Sequence, residues 1–505
     1  LLKNIGSNWA LSAVQILVFM VLSPFVVDTL GEQVNGVWVS IVALTGFLQL
    51  LILGVPMASV RYIAEHVAKG DTKRANEAVS TCLAICLVMG AVALAIGAVL
   101  YPVFDAKYLS SSDWKLTPET IRDARIAFGV VVLTVTLGFA ARLPYGIFDA
   151  HHDFLVRNLV MGGGFILKLG LTVLLLSMKA SLVYLATVQV VVMVAEFCTA
   201  IALVRRRHAG VRLSLAGFDR SLVGGILSFS IFAMLLNVGS KLAFQADALV
   251  IGQFMAPDRI TVYDIGFKVF DPMTNLVLAV GMVVMPMATA LRARGEARQL
   301  AGILFKWTKI ALTLVLMIGA YLLVLGPEFL DWWFAERDTQ ESGRLLQILL
   351  VSFLFFLPVR GVALPILMGL GKPRRPALAL LLMGIVNVLI SLALIKPYGL
   401  VGVALGTAIP NVMFAIFVLT VACAELDVRP AELLGYAAGR LVPAALLAST
   451  VLVFMKFGLH VAGFTQLFVA GVVFVCAYGA LLVFWVYRGD PHVDLHARIF
   501  GKATT

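Results

Sequence analysis

Val79 to Pro102 reads VSTCLAICLVMGAVALAIGAVLYP, 24 residues without one charged side chain. As a helix rising about 1.5 Å per residue it extends roughly 36 Å, enough to cross a bilayer hydrocarbon core about 30 Å thick. Comparable runs recur along all 505 residues, of which 61% are hydrophobic and 13% charged. Soluble domains hold roughly 45–50% and 25%. No soluble core uses that much apolar surface, so lipid is the solvent this chain expects. The runs are continuous rather than alternating, which selects helices over a barrel, because each backbone amide must then be satisfied inside its own segment.

Fourteen spans follow on this reading, at about 5–27, 36–57, 79–102, 124–145, 155–176, 181–204, 226–249, 262–286, 306–326, 345–367, 377–395, 400–422, 441–459 and 464–487. The net charge of +11 sits in short segments between these runs, with no basic domain to hold nucleic acid, and therefore reads as topology. Arg61 to Arg74, Arg205 to Arg220, Arg292 to Lys306 and Lys372 to Arg375 alternate with poorly charged segments such as 28–35 and 460–463. About 24 Lys and Arg fall on the first side and about 9 on the other, which predicts that both termini are cytoplasmic. Asp331, Trp332, Trp333 and Phe334 then belong at the outer interface. No segment reads as a signal-peptide cleavage region followed by a soluble domain, and the first span is expected to act as its own insertion signal. Cys82, Cys86, Cys198, Cys423 and Cys476 lie in or at the ends of apolar stretches and read as small hydrophobes rather than metal ligands. His151-His152 beside Asp153 is likewise a poor candidate for a metal site.

Two internal correspondences suggest a duplication. Trp38 to Gly70 and Tyr263 to Gly295 cover the same interval, each running from an aromatic through a Pro (Pro56, Pro286) to a charged turn. Arg142 and Arg360 stand in the same relation to Leu182-Val183 and Leu400-Val401. The expected organisation is an all-α polytopic protein: a six-helix bundle over 1–204, a cytoplasmic linker 205–225, a second bundle over 226–422, two added helices in 441–487, and a cytoplasmic tail 488–505. Halves related by an axis along the membrane normal place a cavity between them, the plan of a transporter that rocks two bundles.

Asn4-Ile5-Gly6 through Gln15, Pro24, Leu30-Gly31-Glu32, Gly36-Val37-Trp38, Leu53-Gly54-Val55 and Arg61-Tyr62-Ile63-Ala64, with Asp247-Ala248-Leu249-Val250-Ile251-Gly252 and Tyr263, carry a resemblance. The chain resembles the bacterial polysaccharide (O-antigen type) flippases of the multidrug/oligosaccharidyl-lipid/polysaccharide superfamily. The resemblance implies a MATE-like fold and non-covalent flipping of an undecaprenyl-pyrophosphate-linked oligosaccharide across the inner membrane. The implied partners are that lipid, the surrounding membrane and a coupling H+ or Na+, with no cofactor. One departure matters: the arginines that lipid II flippases carry in their first two spans have no counterpart between Ile5 and Pro56.

Charged side chains at membrane depth cost at least a few kcal/mol, so each deserves a functional hypothesis. Lys168, Lys241 and Lys268 are candidates to attract the pyrophosphate, and Glu196, Asp247 and Asp271 to bind the coupling cation. The alternative is structural: Lys268 pairing with its own neighbours, Lys241 locking to Asp247 or Asp271, and Lys168 and Glu196 snorkelling. Arg142 and Arg360 could grip phosphate bidentately or simply anchor the cytoplasmic ends of their spans. Asn4, Asn8, Ser12 and Gln15 in span 1, and Ser230, Asn237 and Lys241 in span 7, form polar stripes suited to sugar hydroxyls or to interhelical packing. Gly162-Gly163-Gly164, Pro144, Pro272, Pro286, Pro358 and Pro365 are candidate bending points.

Two other functions compete. A cation-coupled multidrug exporter of the same superfamily normally needs an embedded acid in its first span, and none stands between Ile5 and Val27. A membrane-embedded polysaccharide polymerase or ligase needs titratable groups on a sizeable outer loop. The longest, Phe104 to Asp123, is short and has no His.

Overall fold

The computed structural model describes residues 2–52, 55–112, 114–229, 231–334, 337, 339–461 and 463–500, and among them every regular element is helical. Among the described residues thirteen helices are long and apolar enough to cross a membrane. One of them, Arg374–Glu425, has 52 residues and contains Gly399 at φ 59°, ψ −138°. That conformation is open to glycine and reverses the chain. A Cβ on Gly402 would come 2.2 Å from the Leu394 carbonyl, and one on Gly406 would come 2.0 Å from Ser391 Oγ. The two limbs therefore fold back on each other, and the thirteen helices carry the fourteen crossing segments read from hydropathy.

The chain divides into two compact units, Leu1–Lys241 with Gln245–Thr261 and Leu242–Phe244 with Val262–Thr505. In the first, α1 (Leu2–Leu30), α2 (Glu32–Leu48), α3 (Val55–Ala68), α4 (Thr72–Phe104), α5 (Pro118–Ala141), α6 (Leu143–Ala150), α7 (Phe154–Met178) and α8 (Leu182–Arg207) follow in order. Here α4 packs on α5, α3 on α6, and α5 on α8. Three shorter helices follow: α9 (Arg220–Phe229), α10 (Ile231–Phe244) and α11 (Ala246–Phe254). The second unit repeats the plan after α12 (Pro257–Phe267), with α13 (Phe270–Ala293), α14 (Ala297–Trp333), α15 (Gln340–Gly361), α16 (Ala363–Gly369) and α17 (Arg374–Glu425). Within it α14 packs on α15, α13 on α16, and α15 on α17. Gly70 (φ 72°) and Gly295 (φ 73°) close equivalent turns before α4 and α14. Nothing lies within 4 Å of a Cβ at either, so the backbone angle alone calls for glycine there. The duplication inferred from Trp38–Gly70 and Tyr263–Gly295 is thus a repeat of helix pairing.

The two added spans, α18 (Pro430–Ala438) with α19 (Leu441–Leu459) and α20 (Phe464–Leu481), pack on α14 around Leu316, Leu325, Leu452, Phe474 and Tyr478. A buried polar clamp accompanies this apolar face. Lys309 Nζ reaches Asp490 Oδ2 at 2.6 Å, with the two side chains 4% and 2% exposed, and donates to the Val486 carbonyl. Tyr436 donates to both Asp490 oxygens at 2.7 and 3.0 Å.

Several expectations needed correction. Span 7, expected unbroken over 226–249, is interrupted at Gln245, between α10 and α11. Span 8, expected over 262–286, is interrupted between Phe267 and Phe270, so Lys268 lies in the break and Asp271 in the first turn of the helix that follows. Trp333 and Phe334 are 5% and 0% exposed, so these two rings pack within the protein, whereas Asp331 is exposed. Gly162-Gly163-Gly164 marks no bend, because α7 runs through it unbroken. The side chain of Asn4, with Leu53, Gly54 and Ser230, lies outside the described residues.

Candidate functional site

Pro144 lacks the N–H that would continue α5 and disfavours helical geometry just before it. The chain therefore stops at Ala141, passes Arg142 (φ −83°, ψ −14°), and restarts as α6 with Pro144 in its first turn. This break delivers Arg142 to a cavity of about 720 Å³ inside the first unit. Helical spacing supplies the rest of the wall. Tyr145 and Asp149 on α6, Arg157, Gly164 and Lys168 on α7, and Gln189, Met193 and Glu196 on α8 each recur at intervals of three, four or seven. Gln49, Pro56 and Thr134 also line it.

Three cations, Arg142, Arg157 and Lys168, thus face two carboxylates, Asp149 and Glu196. Arg157 is committed: its Nη1 lies 2.7 Å from Asp149 Oδ1, and the rest of its guanidinium reaches Asn158 and Asn8. Glu196 Oε2 accepts from the Tyr145 hydroxyl at 2.9 Å. A Cβ on Gly164 would sit 1.7 Å from Glu196 Oε1, so the third glycine of 162–164 makes room for this carboxylate. Arg142 and Lys168 both act electrostatically on Glu196, yet among the described residues no carboxylate lies within 4 Å of either. The cavity therefore carries surplus positive charge, with two of its three cations not ion-paired.

The remaining candidates divide between several environments. Lys241 Nζ donates to Gln245 Oε1 at 2.9 Å, across the helix break, rather than pairing with Asp247 or Asp271 as the structural alternative had it. Its charge and that of Arg142 act on one another. Asp247 is buried in the first turn of α11. Asn8 accepts from Arg157 and Asn158 and so joins α1 to α7, while Gln15 and Asn237 are exposed outside the cavity. In the second unit Lys268 pairs with Asp264 at 2.6 Å, and Asp271 stands exposed in the first turn of α13. Arg360 occupies a break equivalent to that of Arg142, one residue before α15 ends. Its guanidinium, however, lies over the rings of Phe244 and Phe356 at 6.0 and 5.6 Å. The structure therefore brings Arg142, Lys168 and Glu196 together and leaves Arg360, Lys268 and Asp271 elsewhere.

Sequence reasoning missed Tyr145, Asp149, Arg157 and Gln189. Their common three-to-four spacing on successive helices was the available signal. It also missed His208, whose ring lies 3.9 Å from that of His151 and whose Nε2 is 2.8 Å from Asp153 Oδ2. The second unit holds a further buried polar contact, Asn387 donating to the Ala243 carbonyl at 3.1 Å and to Thr407 at 2.8 Å, which ties the Leu242–Phe244 segment to both limbs of α17.

Comparison with known proteins adds a family. The profile described as "Polysaccharide biosynthesis protein" matches residues 1–291. The chain belongs to this family. The profile of "Lipid II flippase MurJ" matches residues 158–474. That match starts downstream of the first two spans, where the arginines of lipid II flippases are missing. Among curated relatives, the "Putative O-antigen transporter" of Shigella flexneri is 20% identical over 426 residues, covering 82% of this chain and 96% of that one. Among solved structures, the lipid II flippase MurJ in an inward closed conformation superposes with a TM-score of 0.71 at 13% identity, over 97% of this chain and 99% of that one. An inward-facing multidrug resistance MATE family transporter gives 0.63 at 17%, over 82% and 98%. At these identities the likeness carries the fold alone. This polysaccharide biosynthesis protein is a multi-pass membrane protein with the architecture of the multidrug/oligosaccharidyl-lipid/polysaccharide superfamily.

Proposed function

We propose that this chain flips a lipid-pyrophosphate-linked oligosaccharide across the bacterial inner membrane by alternating access, for surface polysaccharide biosynthesis. The observation that carries the reading is the pair Arg142 and Lys168, which share one cavity with no carboxylate closer than 4 Å among the described residues. A pyrophosphate presents several acceptor oxygens and at least two negative charges, and a guanidinium beside an ammonium matches both. Gln49, Gln189 and Thr134 in the same wall offer donors and acceptors to sugar hydroxyls. The carrier would be undecaprenyl, its tail remaining in the bilayer, and both termini would face the cytoplasm. Asp247, Asp271 and Glu196 are the carboxylates on which a coupling H+ or Na+ would act. No covalent step is needed.

The decisive experiment is genetic. Cells lacking the gene, and any redundant transporter, should accumulate undecaprenyl-linked glycan on the cytoplasmic face. Undiminished surface polysaccharide in such cells refutes the proposal. The likeness to multidrug MATE structures favours one other reading, a cation-coupled drug exporter. A cavity with surplus positive charge suits the cationic drugs of such exporters badly, and the readings part on whether overexpression changes drug susceptibility.

A further inference from the structure

We infer that Glu196 is a built-in counter-anion for the phosphate site: a tethered carboxylate that holds the field of Arg142 and Lys168 in check while the cavity is empty, and that the Tyr145 hydroxyl parks away from them. The inference rests on the anionic-lipid reading above and concerns how its site is regulated.

The geometry is specific. The carboxylate stands on α8 and projects between α6 and α7, among the residues that line the cavity. It is fixed by two neutral contacts: the Tyr145 hydroxyl on Oε2 at 2.9 Å, and the bare backbone at Gly164 beneath Oε1, where a Cβ would intrude to 1.7 Å. Neither Arg142 nor Lys168 clasps it, though both act on it electrostatically. Had Glu196 served only to lock helices, a direct ion pair with one of these cations would be the stable arrangement. Tyr145 and Gly164 instead hold the negative charge near the cations and short of contact. An arriving phosphate can then take up Arg142 and Lys168 without first breaking an ion pair, and meets only the repulsion of one carboxylate. That repulsion sets how tightly phosphate is held, and so how readily it is released after crossing. A transporter gains from this, because a site that bound its cargo too firmly would not turn over.

Calorimetric titration of inorganic pyrophosphate into the purified full-length protein in lipid nanodiscs tests the idea. Glu196→Gln, which keeps a hydrogen-bond acceptor for Tyr145 and removes the charge, should tighten binding about tenfold or more, as expected for removing one unit charge from a small cavity at an effective dielectric near 20. Tyr145→Phe should act oppositely: the freed carboxylate swings onto Arg142 or Lys168 and binding weakens severalfold. The double variant should behave as Glu196→Gln does. Weaker or unchanged binding in Glu196→Gln overturns the inference. If that variant does not accumulate, Tyr145→Phe decides alone, and unaltered or tighter binding there overturns it. The underlying reading fails separately, when Arg142→Gln and Lys168→Gln both leave the pyrophosphate affinity at the parental value.

Discussion

Arg142 and Lys168 differ from the other embedded cations in what surrounds them. Arg157 is held by Asp149, Lys268 by Asp264 and Lys309 by Asp490, whereas among the described residues no carboxylate lies within 4 Å of these two. Removing a paired cation strands its carboxylate in a dry environment, which is far costlier than removing an unclasped one. Arg142→Ala and Lys168→Ala should therefore leave the amount of protein in the membrane near normal while transport falls. Lys268→Ala should lower abundance, and Lys268→Ala with Asp264→Asn should restore part of it. Quantitative immunoblotting of membranes beside a flipping assay separates the two patterns. His208 makes a second prediction. Burial holds its imidazole below the usual histidine range, with the charges of His151 and Arg207 acting in the same sense against the Asp153 hydrogen bond. A folded-state pKa below the unfolded one means that the unfolded state binds more protons, so this contact's stability is full above the ordinary histidine pKa of about 6.5 and is lost as pH falls through the folded value. Amide protection factors over residues 205–215, taken relative to the intrinsic exchange rate at each pH, should fall on acidification from about pH 7.5 to 5.5, and His208→Phe, which retains the ring against His151, should abolish that fall.

Elements here are shaped by where helices stop. Gly399 turns what would be a single 52-residue helix into two crossing limbs. A side chain at its φ 59°, ψ −138° is strained by about 1–3 kcal/mol, so Gly399→Ala should lower the thermal unfolding midpoint in detergent, and an unchanged midpoint would contradict the assigned turn. The breaks at Arg142 and before Val362 are equivalent in the two units, yet one presents its arginine to a cavity and the other covers it with Phe244 and Phe356. A duplicated element has thus diverged by what its neighbours place against it. The last spans depend on the Lys309–Asp490–Tyr436 clamp. The Asp490 carboxyl is raised by burial, but hydrogen bonds from Lys309, Tyr436 and two backbone amides outweigh this and hold it below the usual range. Lys309→Ala, which leaves Asp490 charged and partly unpaired, should cost about 3–5 kcal/mol. It should expose the segment after Val486 to limited proteolysis, and Lys309→Met with Asp490→Leu should recover most of the resistance.

For the whole molecule, the charge asymmetry of the loops makes a topological prediction. Single cysteines placed in 61–74, 205–220 and 292–306, in a background lacking the five native ones, should react with an impermeant maleimide only from the cytoplasmic side. Labelling of these segments from outside would reverse the proposed orientation. A further consequence concerns the distribution of charge. If the first unit supplies the phosphate grip, Arg142→Ala should lower transport far more than Arg360→Ala does per unit of protein in the membrane, even though the two arginines hold equivalent places in the repeat.

Membrane residence, the number of crossings and the duplicated plan were legible in the amino-acid sequence, because apolar length, turn glycines and paired prolines act locally and leave a one-dimensional trace. Even the chain reversal at Gly399 falls where the hydropathy reading separates 377–395 from 400–422. The composition of the cavity was not legible. Lys168 and Glu196 are 28 residues apart, and what makes them one site with Arg142 is the packing of α5, α6, α7 and α8. That packing also commits Arg157 to Asp149 and turns Gly164 into room for a carboxylate, while in the second unit the rings of Phe244 and Phe356 lie over Arg360. Whether a buried charge is partnered or available depends on distances of a few ångströms between helices, and only the tertiary structure determines those.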